Sequence, residues 1–304
     1  MGAPEFAVPA LMRLADSEHD VVAVYTKMDK PAGRGRGVSE SPVRREAEGR
    51  GLAVRQLESF KNADDVADLA GLKPDVIVVA SFGIIFPQSV LDVPVYGCLN
   101  LHPSLLPRYR GPTPIPAAIL NGDDVTGTSV MIIEKKIDSG PILAQREVSI
   151  KPSDTTGSLA DRLAHVSADL LLEILPGWFA RSITPRPQKD EDATYTKMIH
   201  KGDGELNWRL PALELWRRVR AYNPWPTGYT SWRGKGIRIL EAMPRGGCLD
   251  VPGRVIDLGG GEVGVQTGNG ILSLARVQLE GRKEIGIAEF VRGQRGFVGS
   301  ILPG

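Results

Sequence analysis

The sequence predicts an α/β protein: a Rossmann-like, doubly wound and mainly parallel sheet over the first two thirds of the chain, followed by a smaller β-barrel. Three observations carry this. Asp75-Val76-Ile77-Val78-Val79-Ala80 is an almost unbroken apolar run, the mark of a strand covered on both faces. Segments of helical periodicity alternate with such runs up to about residue 182, as in β-α-β units. Beyond residue 200 the texture changes to short β-rich runs separated by turns such as Gly259-Gly260-Gly261 and Gly268-Asn269-Gly270, the pattern of a small barrel. With 304 residues, 42% hydrophobic and 24% charged, the chain is long enough for two domains with cores of their own.

Taken in order, residues 4–17 place Phe6, Val8, Leu11, Met12 and Leu14 at helical spacing, and 21–25 reads as a buried strand. This is the second half of a β-α-β unit, and a strand ahead of Met1 is expected to complete the sheet. Residues 26–40 are polar and glycine-rich, with Lys27, Lys30, Arg34 and Arg36 interleaved with Gly33, Gly35 and Gly37. No Gly-Lys-Ser/Thr ending follows, so this is not a nucleotide triphosphate loop; a surface loop and an arm that orders on RNA both fit it. Helices are predicted over 42–50, 62–72, 114–120 and 158–175, strands over 129–133 and 142–150, and an apolar loop over 81–87. Residues 183–202 are rich in proline and charge and form a linker. A helix over 211–220 then precedes short strands near 228–232, 236–242, 253–256, 263–267 and 270–278.

Chemistry concentrates in one stretch, Gly97-Cys98-Leu99-Asn100-Leu101-His102-Pro103-Ser104-Leu105-Leu106-Pro107-Arg108-Tyr109-Arg110-Gly111. A short buried strand ends near His102 and runs into a proline-rich loop, delivering an amide and an imidazole to the end of a sheet, where ligands bind in open α/β folds. A histidine there is equally often a satisfied structural donor. Asp138 follows the strand at 129–133 in a polar turn, Asp138-Ser139-Gly140-Pro141, which is also ordinary turn chemistry. Two neighbouring strand ends would bring Asn100, His102 and Asp138 together: an oxyanion donor, a proton carrier and an orienting carboxylate, suited to acyl-type transfer.

Asn100-Leu101-His102-Pro103-Ser104-Leu105-Leu106-Pro107, with Gly111, Pro114 and Asp138-Ser139-Gly140, resembles the signature of enzymes that move a formyl group from 10-formyltetrahydrofolate. Gly2-Ala3-Pro4-Glu5-Phe6, the 30–37 segment, Ser41-Pro42-Val43, Ala193-Thr194-Tyr195 and Asn223-Pro224-Trp225-Pro226 resemble the branch of that family acting on methionine carried by initiator tRNA, for translation initiation. The resemblance spans almost the whole chain. Ala3 stands where the family has threonine, and Phe82 and Phe86 where it commonly has tyrosine and leucine. The resemblance implies a catalytic domain over 1–182, a linker over 183–202 and an OB-like tRNA-binding domain over 203–304. It implies Asn100, His102 and Asp138 as catalytic residues. Ile84, Ile85, Ser104, Leu105, Leu106 and Pro107 would border the folate, and Phe6, Arg34 and Arg36 the tRNA. Other formyl-tetrahydrofolate enzymes, acting on an amino sugar or hydrolysing the folate, and a non-enzymatic RNA-binding module stand as alternatives.

Net charge is +1, unevenly placed: 15 Lys and Arg against 10 Asp and Glu in 201–304 give +5, leaving −4 for 1–200. That surplus suits a polyanion partner or a solvated basic face. Cys98 and Cys248 lie far apart and read as buried small residues rather than a disulfide or metal pair. With no secretory signal pattern and no long apolar run, a cytoplasmic protein, monomeric and without a metal, is expected.

Overall fold

The computed structural model describes residues 1–32, 37–247 and 251–304; Arg34, Arg36 and Cys248 lie outside the described residues. The chain divides into two compact units, one of residues 1–114, 125–149 and 160–196, the other of 115–124, 150–159 and 197–304.

The elements run α1 (Val8–Ala15), β1 (Val24–Lys27), β2 (Lys30–Ala32), β3 (Gly37–Ser39), α2 (Pro42–Gly49), β4 (Val54–Leu57), α3 (Ala63–Gly71), β5 (Ile77–Val79), α4 (Gln88–Leu91), β6 (Cys98–His102), α5 (Pro114–Asn121), β7 (Val125–Ile132), β8 (Ile142–Ser149) and α6 (Thr156–Phe179). Local chemistry sets several of the helix starts. The Ser41 hydroxyl accepts from the Arg44 amide with Pro42 in the first turn of α2, and Asn62 caps α3 by accepting from the Asp64 amide. The segment read as a loop over 26–40 contains the antiparallel rungs of β2 with β3. β4, absent from the sequence-based expectation, pairs parallel to β1.

The first unit's sheet is mixed rather than mainly parallel. β5 runs parallel to β6, but β7 is antiparallel to β6 and β8 antiparallel to β7. The apolar run in β7 marks burial, which the middle of an antiparallel sheet also provides, and no helix long enough for a parallel crossover separates β7 from β8. α6 closes one face, where Leu171 and Leu175 meet Leu99, Leu101 and Val130.

Between β1 and β5 lies the start of the chain. The Gly2 amide donates to Tyr25 O (3.0 Å), the Ala80 amide to Met1 O (3.0 Å) and the Met1 amine to Val78 O (2.6 Å). Met1 and Gly2 thus pair on both sides, as a parallel strand would. A cavity of about 570 Å³ continues from there, lined by Val22, Val24, Val76, Val78, Leu14 and Phe179 among others. Val24 N–H bonds to Ala53 on the far side of β1 and Ile77 N–H to Gly97 on the far side of β5. By alternation the backbone groups of Ala23, Tyr25, Val76 and Val78 turn towards the cavity. Burial pushes the Met1 ammonium down to about 5.

The second unit adds α7 (Ala212–Ala221), β9 (Gly228–Trp232), β10 (Lys235–Arg245), β11 (Val255–Gly259), β12 (Glu262–Gln266), β13 (Ile271–Leu279), β14 (Glu284–Gly286) and α8 (Ile287–Gly293). All pairings are antiparallel, in the order β11-β12-β13-β10-β9 with β14 also on β13. Among the described residues no ladder joins β9 to β11, so the expected barrel is an open six-stranded sheet. Its edges are covered by chain instead: Glu205 bridges to Tyr229 on β9, and Ile301 to Arg254 just ahead of β11. Leu215 and Val219 of α7 and Phe290 of α8 complete its core. No helix among the described residues is long and apolar enough to cross a membrane.

One measurement follows from the cavity. An extension of four or five β-branched residues ahead of Met1 would extend the ladder on both sides; the melting temperature should rise by at least about 5 °C. An unchanged melting temperature would show that the cavity does not take a strand.

Candidate active site

Side-chain alternation along β6 splits its residues between two faces. Leu99 and Leu101 are wholly buried in the core beneath, so Asn100 and His102 share the opposite face. The parallel register of β5 with β6 pairs Val79 with Asn100, which brings the 81–87 loop to the same sheet edge as His102. Ile84 is half-buried there and Ile85 is 85% exposed.

The loop after His102 is pinned by a saturated hydroxyl. Ser129 Oγ donates to Ser104 O (2.6 Å) and accepts from the Leu106 amide (3.1 Å) and from Gln145 Nε2 (2.8 Å). Ser104 is fully buried, its own hydroxyl donating to Arg108 O (2.6 Å), and Leu106 packs inward on Met131 and Ile142. These two residues shape the loop; Leu105 and Pro107 keep part of their surface. The loop then turns through Tyr109, whose φ of 59° lies in the left-handed region, and its carbonyl meets His102 Nε2 at 2.9 Å. A carbonyl only accepts, so Nε2 carries a hydrogen and the neutral ring presents the lone pair of Nδ1.

Asp138 faces that lone pair by a route other than the expected pair of strand ends. Because β7 is antiparallel to β6, its end at Ile132 lies beside Leu99, away from His102. The 133–141 segment folds back over the face carrying Asn100 and His102, with Asp138 itself at φ 48°. Its carboxylate accepts from the Gly111 amide (2.8 Å) and from Asn100 Nδ2 (3.4 Å), and lies 3.6 Å from His102 Nδ1. A proton placed on Nδ1 would be shared with Asp138, and Asn100 retains a second N–H for an incoming oxygen.

The linker supplies Gln188, Asp190 and Thr196, which the sequence did not single out, beside Thr194 and Tyr195 of the motif it did. Thr194 Oγ1 accepts from the Tyr109 amide and Thr194 O from the Arg110 amide, both at 2.8 Å, and the Thr196 amide donates to Arg110 O at 2.8 Å. The Arg110 guanidinium, wholly buried, donates to Asp190 (2.8 Å), Tyr195 Oη (3.0 Å) and Gln188 Oε1 (3.0 Å). Lys136 and Arg110 hold the Asp190 carboxyl below its ordinary range. The available signal was Ala193-Thr194-Tyr195, which marked the segment without showing what it touches.

Asn100, His102 and Asp138 are therefore brought together, with the 103–111 loop joined to them through Tyr109 and Gly111. Phe6 is half-buried against the core around Ala7 and Leu11. Among the described residues no group of three or more His, Cys, Asp or Glu side chains is placed to hold a metal ion.

Residues 1–175 match the family model described as formyl transferase, and 198–295 the one described as formyl transferase, C-terminal domain. The chain is 46% identical over 303 residues to a methionyl-tRNA formyltransferase of Dehalococcoides mccartyi, covering 99% of this chain and 97% of the relative. It is 46% identical over 298 residues to one of Roseiflexus sp., covering 97% and 91% respectively. Among solved structures it resembles an N-formyltransferase from Helicobacter canadensis in complex with folinic acid and dTDP-3-aminofucose, with a TM-score of 0.67 at 17% identity, covering 91% of this chain and 97% of the other. At that identity the likeness concerns the fold.

Gly111 gives a test of the geometry. Its φ is 104°, and a Cβ there would sit 2.9 Å from Thr196 Oγ1 and 3.0 Å from Thr196 O. Gly111→Ala should cost about 2–4 kcal/mol, lowering the melting temperature by about 5–10 °C, and Thr196→Ala should restore only part because one of the two obstructing atoms is backbone.

Proposed function

The chain belongs to the formyl transferase family, in the branch of the methionyl-tRNA formyltransferases, and on that premise we propose that the face of β6 transfers the formyl group of 10-formyltetrahydrofolate to the α-amine of methionine on initiator tRNA. One observation supports this above others: Asn100 and His102 converge on the Asp138 carboxylate in a chain that matches methionyl-tRNA formyltransferases over nearly its whole length.

Asn100 Nδ2 donates to the formyl oxygen as charge develops on it during attack by the amine. His102 takes the proton released by that amine on Nδ1, its ring held by the Tyr109 carbonyl. Asp138 shares the proton and is the second station on its way to the leaving folate nitrogen. Ile84, Ile85, Leu105 and Pro107 supply the apolar walls that a pterin ring needs at this sheet edge, while Ser104 and Leu106 keep the loop in shape. We take 1–182 as the catalytic domain, 183–202 as the linker and 203–304 as a docking domain on its open antiparallel sheet, the +5 charge of 201–304 attracting tRNA. Phe6, Arg34 and Arg36 are assigned to the tRNA.

With labelled 10-formyltetrahydrofolate and charged initiator tRNA, the label should reach the tRNA. Asn100→Ala should slow single-turnover transfer by roughly 10²–10³-fold with little change in folate affinity. An unchanged rate would remove Asn100 from the chemistry, and label appearing as formate would mark a hydrolase.

Replacing Arg34 and Arg36 with alanine should weaken use of charged tRNA and make its salt dependence shallower, since each lost phosphate contact removes about 0.7–0.9 from the slope of log affinity against log salt. Equal loss of any tRNA-independent folate hydrolysis would mean misfolding instead.

A further inference from the structure

We infer that Gln188, in the linker, is a positioning residue for formyl transfer: its side-chain amide clamps the turn that carries Asp138 to the loop that holds His102. The inference rests on the catalytic roles proposed for Asn100, His102 and Asp138.

Gln188 Nε2 donates to Asp138 O (3.0 Å) and to Gly140 O (2.7 Å), and its Oε1 accepts from Arg110 Nε (3.0 Å). The orientation of the amide is fixed by its neighbours, because two carbonyls demand the NH₂ end and a guanidinium N–H demands the oxygen. One side chain thus ties residue 138 to residue 110. Arg110 lies between Tyr109, whose carbonyl orients His102, and Gly111, whose N–H holds the Asp138 carboxylate. Each face of the Asp138 turn is then held from a different direction: the carboxylate by Gly111 and Asn100, the backbone by Gln188.

The clamp has something to oppose. Asp138 sits in the left-handed region at φ 48°, a conformation that costs a non-glycine residue of order 1 kcal/mol or more and persists only when its surroundings enforce it. The 133–141 turn also carries exposed side chains at Glu134, Lys135, Lys136 and Ile137, which offer little burial to anchor it. Of the turn's side chains, Lys136 is tied to the same linker through Asp190 (2.7 Å). That pair is exposed and worth little. Two hydrogen bonds from a partly buried amide to backbone carbonyls are the stronger restraint. The distance at stake is small. His102 Nδ1 and Asp138 Oδ2 stand 3.6 Å apart, beyond a good hydrogen bond, so a shift of about 1 Å decides whether the pair can share a proton, and misplacement on that scale costs up to about 10²-fold in rate.

The test is a mutant cycle read in single turnovers at saturating folate and tRNA. Gln188→Met keeps the length and bulk of the side chain and removes all three hydrogen bonds. It should slow formyl transfer about tenfold while the affinities for folate and tRNA stay within about twofold. In an Asp138→Ala background, where there is no carboxylate to place, Gln188→Met should change the rate by less than about twofold. A side chain that only supports the fold would instead slow both backgrounds alike. Gln188→Glu keeps the acceptor for Arg110 but cannot donate to the two carbonyls; it should be as slow as Gln188→Met, which keeps the test open if the methionine variant folds poorly by thermal melting. A wild-type rate in Gln188→Met or Gln188→Glu, or equal slowing with and without Asp138, overturns the inference even where Asp138→Ala is itself severely slowed. A wild-type rate in Asp138→Ala overturns both the inference and the catalytic reading beneath it.

Discussion

Everything in the first unit that bears on chemistry depends on where one carboxylate is held. Asp138 is reached by an amide from β6, by a backbone N–H from the loop after β6 and by an imidazole at the limit of hydrogen-bond reach. None of these contacts is local in sequence. They exist because β7 leaves the sheet beside Leu99 and the chain folds back across the face it has just helped to build. The buried face of β6, wedged between the sheet's neighbours and α6, keeps Asn100 and His102 from moving with the turn. A rigid strand supplies two groups, and a strained, exposed turn supplies the third. The division is common in sites where one partner must adjust as charge moves.

The legibility of the fold follows the same division. Asn100 and His102 could be read from the chain because a short apolar run ending in Asn-Leu-His before a proline-rich loop has few structural alternatives. Asp138 could be named but its position could not, since periodicity marks a buried strand without giving its direction, and the antiparallel course of β7 changes which end is near. Strand β4 escaped because Val54-Arg55-Gln56-Leu57 carries two polar residues on a half-exposed edge. β14 and α8 are short and held by tertiary contacts, β14 by its ladder to β13 and α8 by Phe290, which meets Phe297 edge to face at 5.0 Å. The barrel reading took turn spacing for closure, whereas Glu205 and Ile301 cover the sheet's edges without joining them.

The linker is the clearest case of information that no local pattern contains. Its proline and charge describe a linker without telling what its side chains bind, and the structure gives it no α-helix or strand, only 3-10 turns at Asp190–Asp192 and Lys201–Gly204. Arg110 is wholly buried in a protein where most arginines reach solvent, and the groups that make this tolerable, Gln188, Asp190 and Tyr195, all come from that segment. Burying a guanidinium fixes the path of whatever pairs with it. The linker is thereby bound to the loop that orients His102.

Cys98 begins the strand that carries Asn100 and His102. Its thiol is 1% exposed, and burial pushes it up to about 12. The thiolate is therefore scarce at neutral pH, so oxidants and alkylating reagents meet an inert sulfur while the sheet is closed. Reaction at Cys98 then requires that β6 part from its neighbours, and its rate is a clock for opening of the strand on which catalysis is built. Ligands that grip the Asn100–His102 face should slow that clock, giving a chemical readout of site occupancy that needs neither turnover nor a label on the ligand.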